Sequence, residues 1–167
     1  MVTESDGFDT FYRSTAHRIS RFAFAMTGDP VEAQDITQEA YVRAWRNWSR
    51  IGGFEHPESW VRLVVTRLAT DRWRRLRLRR RVESNEQPPD LVEAPSENTV
   101  LLVNALRRLP ADQRRVLCLH YLLDQPIADI AAETGIPLGT VKSHLSRGRT
   151  ALANLLGVTV KERNGVR

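Results

Sequence analysis

Apolar residues recur at three- and four-residue steps along almost the whole of this 167-residue chain, with no period-two alternation between them. That periodicity predicts amphipathic helices and no half-buried strands. Phe8, Phe11, Tyr12, Ile19, Phe22, Ala23 and Met26 make the first stripe, and Gly28 ends it in the usual C-terminal role. Asp29-Pro30-Val31-Glu32 reads as an N-cap, a proline at the first helical position and a capping-box glutamate. The helix that follows is expected to bury Ala33, Ile36, Ala40, Ala44, Trp45 and Trp48. Gly52-Gly53 breaks the chain, and Pro57 opens a third helix with Trp60, Leu63, Val64, Leu68 and Ala69 inward.

Between about Val82 and Asn98 the pattern fails. Pro88, Pro89 and Pro95 stand there among acidic and small polar residues, which is linker composition. The expected architecture is therefore all-α: two small helical modules, 1–82 and 99–157, joined by a flexible acidic linker over 83–98 and followed by a tail, 158–167.

Charge is segregated in the same places. Residues 60–81 hold nine arginines against Asp71 alone, whereas residues 83–97 hold five carboxylates and no base. A cationic block beside an anionic one suggests a polyanion-binding surface followed by a solvated spacer, although a disordered basic tail has the same composition. No apolar run approaches the ~20 residues of a membrane span. The first ten residues carry Glu4, Asp6 and Asp9 and no basic residue, which argues against a secretory signal. A single cysteine, Cys118, and four scattered histidines offer neither a disulfide nor a zinc site. No nucleophile and base share a motif, and no glycine-rich phosphate loop occurs. The expectation is a cytoplasmic protein that is not an enzyme, with no catalytic residues, metal or cofactor.

The C-terminal module carries the sharpest pattern. Ile127 to Glu133 reads as a short helix, Thr134-Gly135-Ile136 as a turn with glycine at a positive φ, and Pro137 as the opening of another helix. In that last helix Leu138, Val141, Leu145, Gly148 and Leu152 share one stripe. Ser143, Ser146, Arg147 and Thr150 fall on the far side, flanked by Lys142, Arg149 and Thr140, with His144 at the boundary. This is the pattern of a helix-turn-helix whose small outward residues admit it to a major groove while its cations reach bases or phosphates. A helical hairpin with a merely solvated face is the alternative.

Three segments of the C-terminal half together resemble the fourth conserved region of bacterial sigma factors: Leu109-Pro110-Ala111-Asp112-Gln113-Arg114, Asp129-Ile130-Ala131-Ala132 and Gly139-Thr140-Val141-Lys142-Ser143-His144-Leu145-Ser146-Arg147-Gly148-Arg149. Asp35-Ile36-Thr37-Gln38-Glu39-Ala40-Tyr41-Val42-Arg43-Ala44-Trp45 is similar to the polymerase-binding segment of the second region, and Trp60 through Arg75 to its −10-recognising helix. With the first and third regions missing, the chain resembles the small extracytoplasmic-function group. The two modules are then region-2-like and region-4-like. Where the family often has asparagine, arginine and alanine, this chain has Arg67, His144 and Gly148, the last expected to weaken its helix by about 1 kcal/mol.

The resemblance implies a factor that binds core RNA polymerase, recognises −35 and −10 elements and holds the −10 region melted. Asp35, Gln38, Glu39, Arg43 and Arg46 are the implied contacts to core, through the largest-subunit coiled coil. The polymerase flap region, promoter DNA and an anti-sigma factor are further implied partners. Asp35 and Glu39 form a like-charge pair on one helix face that a basic partner would relieve, unless Arg43 neutralises it. Arg62, Thr66, Arg67, Thr70 and Arg74 are read as an outward polar face opposite Trp60 and Leu68. The loop containing Arg50, Phe54 and His56 is placed to receive an unstacked base. Those eight residues are the expected −10 contacts, while Trp60 and Trp73 are read as core. Thr140, Lys142, Ser143, Ser146, Arg147 and Arg149 are the expected −35 contacts. Two other classes fit part of the pattern: a helix-turn-helix regulator acting without core polymerase, and a protein that sequesters polymerase without reading DNA.

Overall fold

The computed structural model describes residues 4–79 and 96–158, and within them the chain is helical with no strand. It divides into two compact units, Met1–Ala94 and Pro95–Arg167. Most of the expected linker and tail, including Glu83, Glu86, Asp90 and Glu93, lies outside the described residues.

The first unit holds α1 (Glu4–Thr27), α2 (Pro30–Arg46), α3 (Trp48–Ile51) and α4 (Pro57–Arg79). Gly28 leaves α1 at φ 73°, a conformation that costs glycine nothing. Asp29 then caps α2 by accepting the Val31 and Glu32 N–H groups at 2.8 and 3.1 Å. The Asp29 N–H itself goes to the Thr27 hydroxyl, so the reciprocal half of a capping box is supplied from α1. Ile19, Phe22, Ile36, Ala40, Val61 and Val65 are fully buried where α1, α2 and α4 meet. Truncating one of the large members, such as Phe22, costs about 3–5 kcal/mol.

One end of this bundle is aromatic. Phe8 lies 5.1 and 5.2 Å from the rings of Trp45 and Trp48, and Tyr12 meets Tyr41 edge-on at 4.8 Å. Two expectations fail here. Tyr12 and Trp45 are 44% and 48% exposed rather than buried, because each caps the aromatic cluster from outside. Trp48 belongs to a separate short helix, since α2 ends at the Asn47 C-cap. Gly52 packs so tightly on that tryptophan that a Cβ would sit 2.8 Å from the Trp48 carbonyl oxygen.

The second unit holds α5 (Glu97–Arg107), α6 (Ala111–Leu117), a π-helical turn (Cys118–Leu122), α7 (Ile127–Thr134) and α8 (Leu138–Leu156). Ser96 caps α5, so this helix begins inside the segment expected to be linker. Val116, Leu119, Ile130 and Val141 are fully buried at the centre. Cys118 is buried with them, and burial pushes its thiol up to about 12, which leaves it inert at neutral pH. The π turn and the left-handed Asp124 that follows it (φ 51°) carried no signal in the apolar periodicity. Gly148 is buried where α8 crosses α6. A Cβ there would lie 2.9 Å from Leu117 Cδ1, so the glycine that looks like a helix weakener permits close packing.

Candidate functional site

Three surfaces bring the expected residues together. On α2, Asp35, Gln38, Arg43 and Arg46 are exposed and Glu39 is half-buried. The like-charge pair is balanced within the chain: Glu39 pairs with Arg43, and Arg72 of α4 stands 3.7 Å from Asp35 and 3.9 Å from Glu39. Two apolar residues share this face with the charged ones. Advancing about 100° per residue from Asp35, Val42 falls near the centre of the face and Trp45 at its edge. Both are 48% exposed. The sequence reading missed these two as surface residues, although Trp45 lies about 130° from the centre of the buried stripe through Ala33, Ile36, Ala40 and Ala44.

On α4 the outward face differs from expectation at one position. Arg62 is only 6% exposed and contributes nothing outward. Its guanidinium lies 3.3 Å from Glu58 and donates to the Ser59 hydroxyl at 2.8 Å. Arg18 of α1 reaches the other oxygen of Glu58 at 2.7 Å. Removing this ion from water is tolerated because Glu58 and Ser59 pair its guanidinium. The hint in the sequence was the i,i+4 spacing of Glu58 and Arg62. Arg67 and Arg74 are exposed, and Thr66 and Thr70 are half-buried. Trp60 is half-buried about 20° around the helix from Arg67, so it does not stand opposite the polar face. Trp73, expected in the core, is 45% exposed.

The turn that leads into α4 is open to solvent. Arg50 and His56 are exposed, and the Phe54 ring is 46% exposed beside Gly53. An exposed phenylalanine ring is chemically able to stack on a planar group. The Phe54 N–H bonds the Ile51 carbonyl at 3.0 Å, which holds the loop against the buried Ile51.

In the second unit α7 and α8 form a helix-turn-helix, with Gly135 in the turn at φ 73°. Val141, Leu145 and Gly148 are buried, whereas Leu138 is 46% exposed at the first turn. Thr140, Lys142, Ser143, Ser146, Arg147 and Arg149 are all exposed. Arg149 stands apart from the other five, since it donates to the Tyr121 hydroxyl at 3.3 Å from the edge of the face. Both residues line an apolar cavity of about 400 Å³ together with Leu106, Leu117, Leu152 and Ala153. Among the described residues no His, Cys, Asp and Glu cluster could hold a metal, and no helix is long and apolar enough to cross a membrane.

Comparison with known proteins covers both units. A family model for sigma-70 region 2 matches residues 11–91, and one for sigma-70 region 4 matches residues 99–152. The chain is 35% identical over 159 residues to the ECF RNA polymerase sigma factor SigL of Mycobacterium tuberculosis, covering 89% of each chain. It is 32% identical over 151 residues to the RNA polymerase sigma-E factor of Streptomyces avermitilis, covering 89% of this chain and 82% of the relative. Among solved structures it resembles the sigma factor RpoE of Bartonella quintana, crystallised with the anti-sigma factor NepR. That match has a TM-score of 0.70 at 25% identity and covers 90% of this chain and 97% of the other.

Proposed function

Because this chain belongs to the sigma-70 family, in its extracytoplasmic-function group, and is an RNA polymerase sigma factor, we propose a division of labour among its three surfaces. The α2 face docks on core polymerase. Val42 and Trp45 supply apolar contact there, while Asp35, Gln38, Glu39, Arg43 and Arg46 supply the polar and charged contacts that set orientation. The α4 face and the turn with Arg50, Phe54 and His56 take the −10 element. Arg67 and Arg74 neutralise phosphates, and the Phe54 ring receives a base once the strands part. The α8 face takes the −35 element in duplex form, with Arg147 and Lys142 reaching base edges or phosphates past the small Ser143 and Ser146. Chemistry is left to the polymerase, so the chain is a cytoplasmic, non-enzymatic specificity factor. The apolar cavity beside Arg149 suits an apolar helix from the polymerase flap region or an anti-sigma factor.

The single observation that carries this reading is the outward α8 face. A buried stripe through Val141, Leu145 and Gly148 turns hydroxyls and cations outward from a helix set by a left-handed glycine. The test is site-directed cross-linking of the reconstituted holoenzyme on a promoter that it transcribes. A photoreactive group at Ser143 should capture upstream duplex DNA, one at Phe54 the −10 strand, and one at Val42 the largest polymerase subunit. Capture of protein from Ser143, or of DNA from Val42, would contradict the assignment.

A further inference from the structure

Both ends of the Phe54 loop are fastened to α1. At its start the Gly52 N–H donates to the Trp48 carbonyl at 2.9 Å, and the Trp48 indole packs 5.0 and 5.2 Å from the rings of Phe11 and Phe8. At its end the Ser59 N–H donates to the His56 carbonyl at 3.1 Å, while the Ser59 hydroxyl accepts from Arg62. Glu58 carries this second end across to α1. Arg18 holds its carboxylate by a fork, Nη2 to Oε2 at 2.7 Å and Nε to Oε1 at 3.4 Å. Arg62 approaches the same Oε1 at 3.3 Å. An acidic residue in a first turn is favoured by the helix N-terminus alone and needs no such company. Here its oxygens are divided between guanidiniums of two helices, and its side chain is only 18% exposed. Between the two ties the loop is unsupported. A Cβ on Gly53 would meet nothing within 4 Å, and the Phe54 ring beside it is 46% exposed.

We propose that Arg18 is a positioning residue for promoter-strand capture. Acting through Glu58, it fixes against α1 the end of the loop that carries Phe54 and His56, and it touches no base itself. The fork is what positions: two N–H groups aimed at two oxygens set an angle as well as a distance, which a single ammonium does not. A loop held in one place has less freedom to lose when a base arrives, and it cannot shift to accommodate a base of the wrong shape. Loosening it therefore erodes base preference before it erodes the binding of DNA. The proposal rests on the assignment of this loop to the −10 strand.

The test uses holoenzyme assembled with core polymerase and single-stranded −10 oligonucleotides varied one position at a time. The position of interest is the one whose base preference Phe54→Leu abolishes. Arg18→Ala should reduce that preference roughly five-fold, the value of one partly exposed ion pair, with core association and −35 duplex binding unchanged. Arg18→Lys should lose as much as Arg18→Ala, because it keeps the charge without the fork. Glu58→Gln removes the carboxylate from the buried Arg62 and endangers the fold, so the variants at the half-exposed Arg18 carry the test. Wild-type base preference in Arg18→Ala would overturn the proposal, and a lowered melting temperature with that preference intact would make the network structural only. Full preference in Arg18→Lys would overturn it too, by leaving charge rather than the fork to hold the loop. If Arg18 alone fails, Phe54→Leu still abolishes preference at one position. If the assignment of the loop fails, Phe54→Leu alters no position.

Discussion

Arg72 of α4 holds its guanidinium 3.7 Å from the Asp35 carboxylate of α2. The same group stands 3.9 Å from Glu39, which Arg43 also pairs. Both carboxylates thus already have cationic partners within the chain, Asp35 one and Glu39 two. Exposed pairs of this kind contribute about 0–1 kcal/mol each to the fold, so the proposed docking of the α2 face is expected to draw chiefly on Val42 and Trp45.

The first prediction follows from that balance. Trp45→Ala should weaken association with core polymerase by about 2 kcal/mol or more, as a buried aromatic anchor does. Asp35→Ala should cost less than about 1 kcal/mol. Competition binding against a labelled sigma factor checks the order, with a thermal melt to show that loss of the Phe8 contact leaves the fold intact. A larger loss from Asp35→Ala would return the interface to charge.

The proposed DNA contact of Arg147 has two modes that one substitution separates. If its fork reads a base, Arg147→Ala should cost about 1–3 kcal/mol and relax preference at one position of the −35 element. If it only touches a phosphate, all promoters should weaken alike and the salt slope should fall by about one. Unchanged transcription on every promoter would remove Arg147 from the interface.

Gly148→Ala sets helix propensity against packing. Alanine gains about 1 kcal/mol in a helix interior. Its Cβ would press 2.9 Å from Leu117 Cδ1, on a side chain that is itself buried. Overpacking typically costs about 1–3 kcal/mol, so the variant should be destabilised by about 1 kcal/mol in denaturant titration. Leu117→Val should recover part of that loss. A net gain in stability from Gly148→Ala alone would show that α6 yields freely.

Tyr41 makes the first unit sensitive to alkali. Burial pushes its phenol from 10 up to about 12, against the opposing effect of its hydrogen bond with Thr15. The neutral form is the one that fits, so its stabilisation is full below pH 10 and is lost as pH rises through about 12. Tyr41→Phe should flatten the decline in melting temperature over that window. Parallel declines in wild type and variant would contradict it.

The local signals that the sequence carried were those of backbone chemistry and of unbroken apolar stripes. Gly28 and Gly135 both sit at φ 73° as the helix ends require, and Val141, Leu145 and Gly148 are buried as their spacing demands. Misreadings arose where side chains are long or broad. Arg62 is drawn inward by Glu58, an interaction that only the approach of α1 and its Arg18 completes. Trp45 and Trp73, both expected inward, are about half exposed. The π turn at Cys118–Leu122 adds a residue to a helical turn, which three- and four-residue spacing does not register.

Transcription in vitro from a randomised promoter library tests the division between the units most directly. Core polymerase with the wild-type chain should enrich two separated sequence blocks. Arg147→Ala should relax the upstream block alone, and Phe54→Leu should reduce initiation without altering that block. Enrichment of a single block, or relaxation of the downstream block by Arg147→Ala, would contradict the assignment of α8 to one element and α4 to the other.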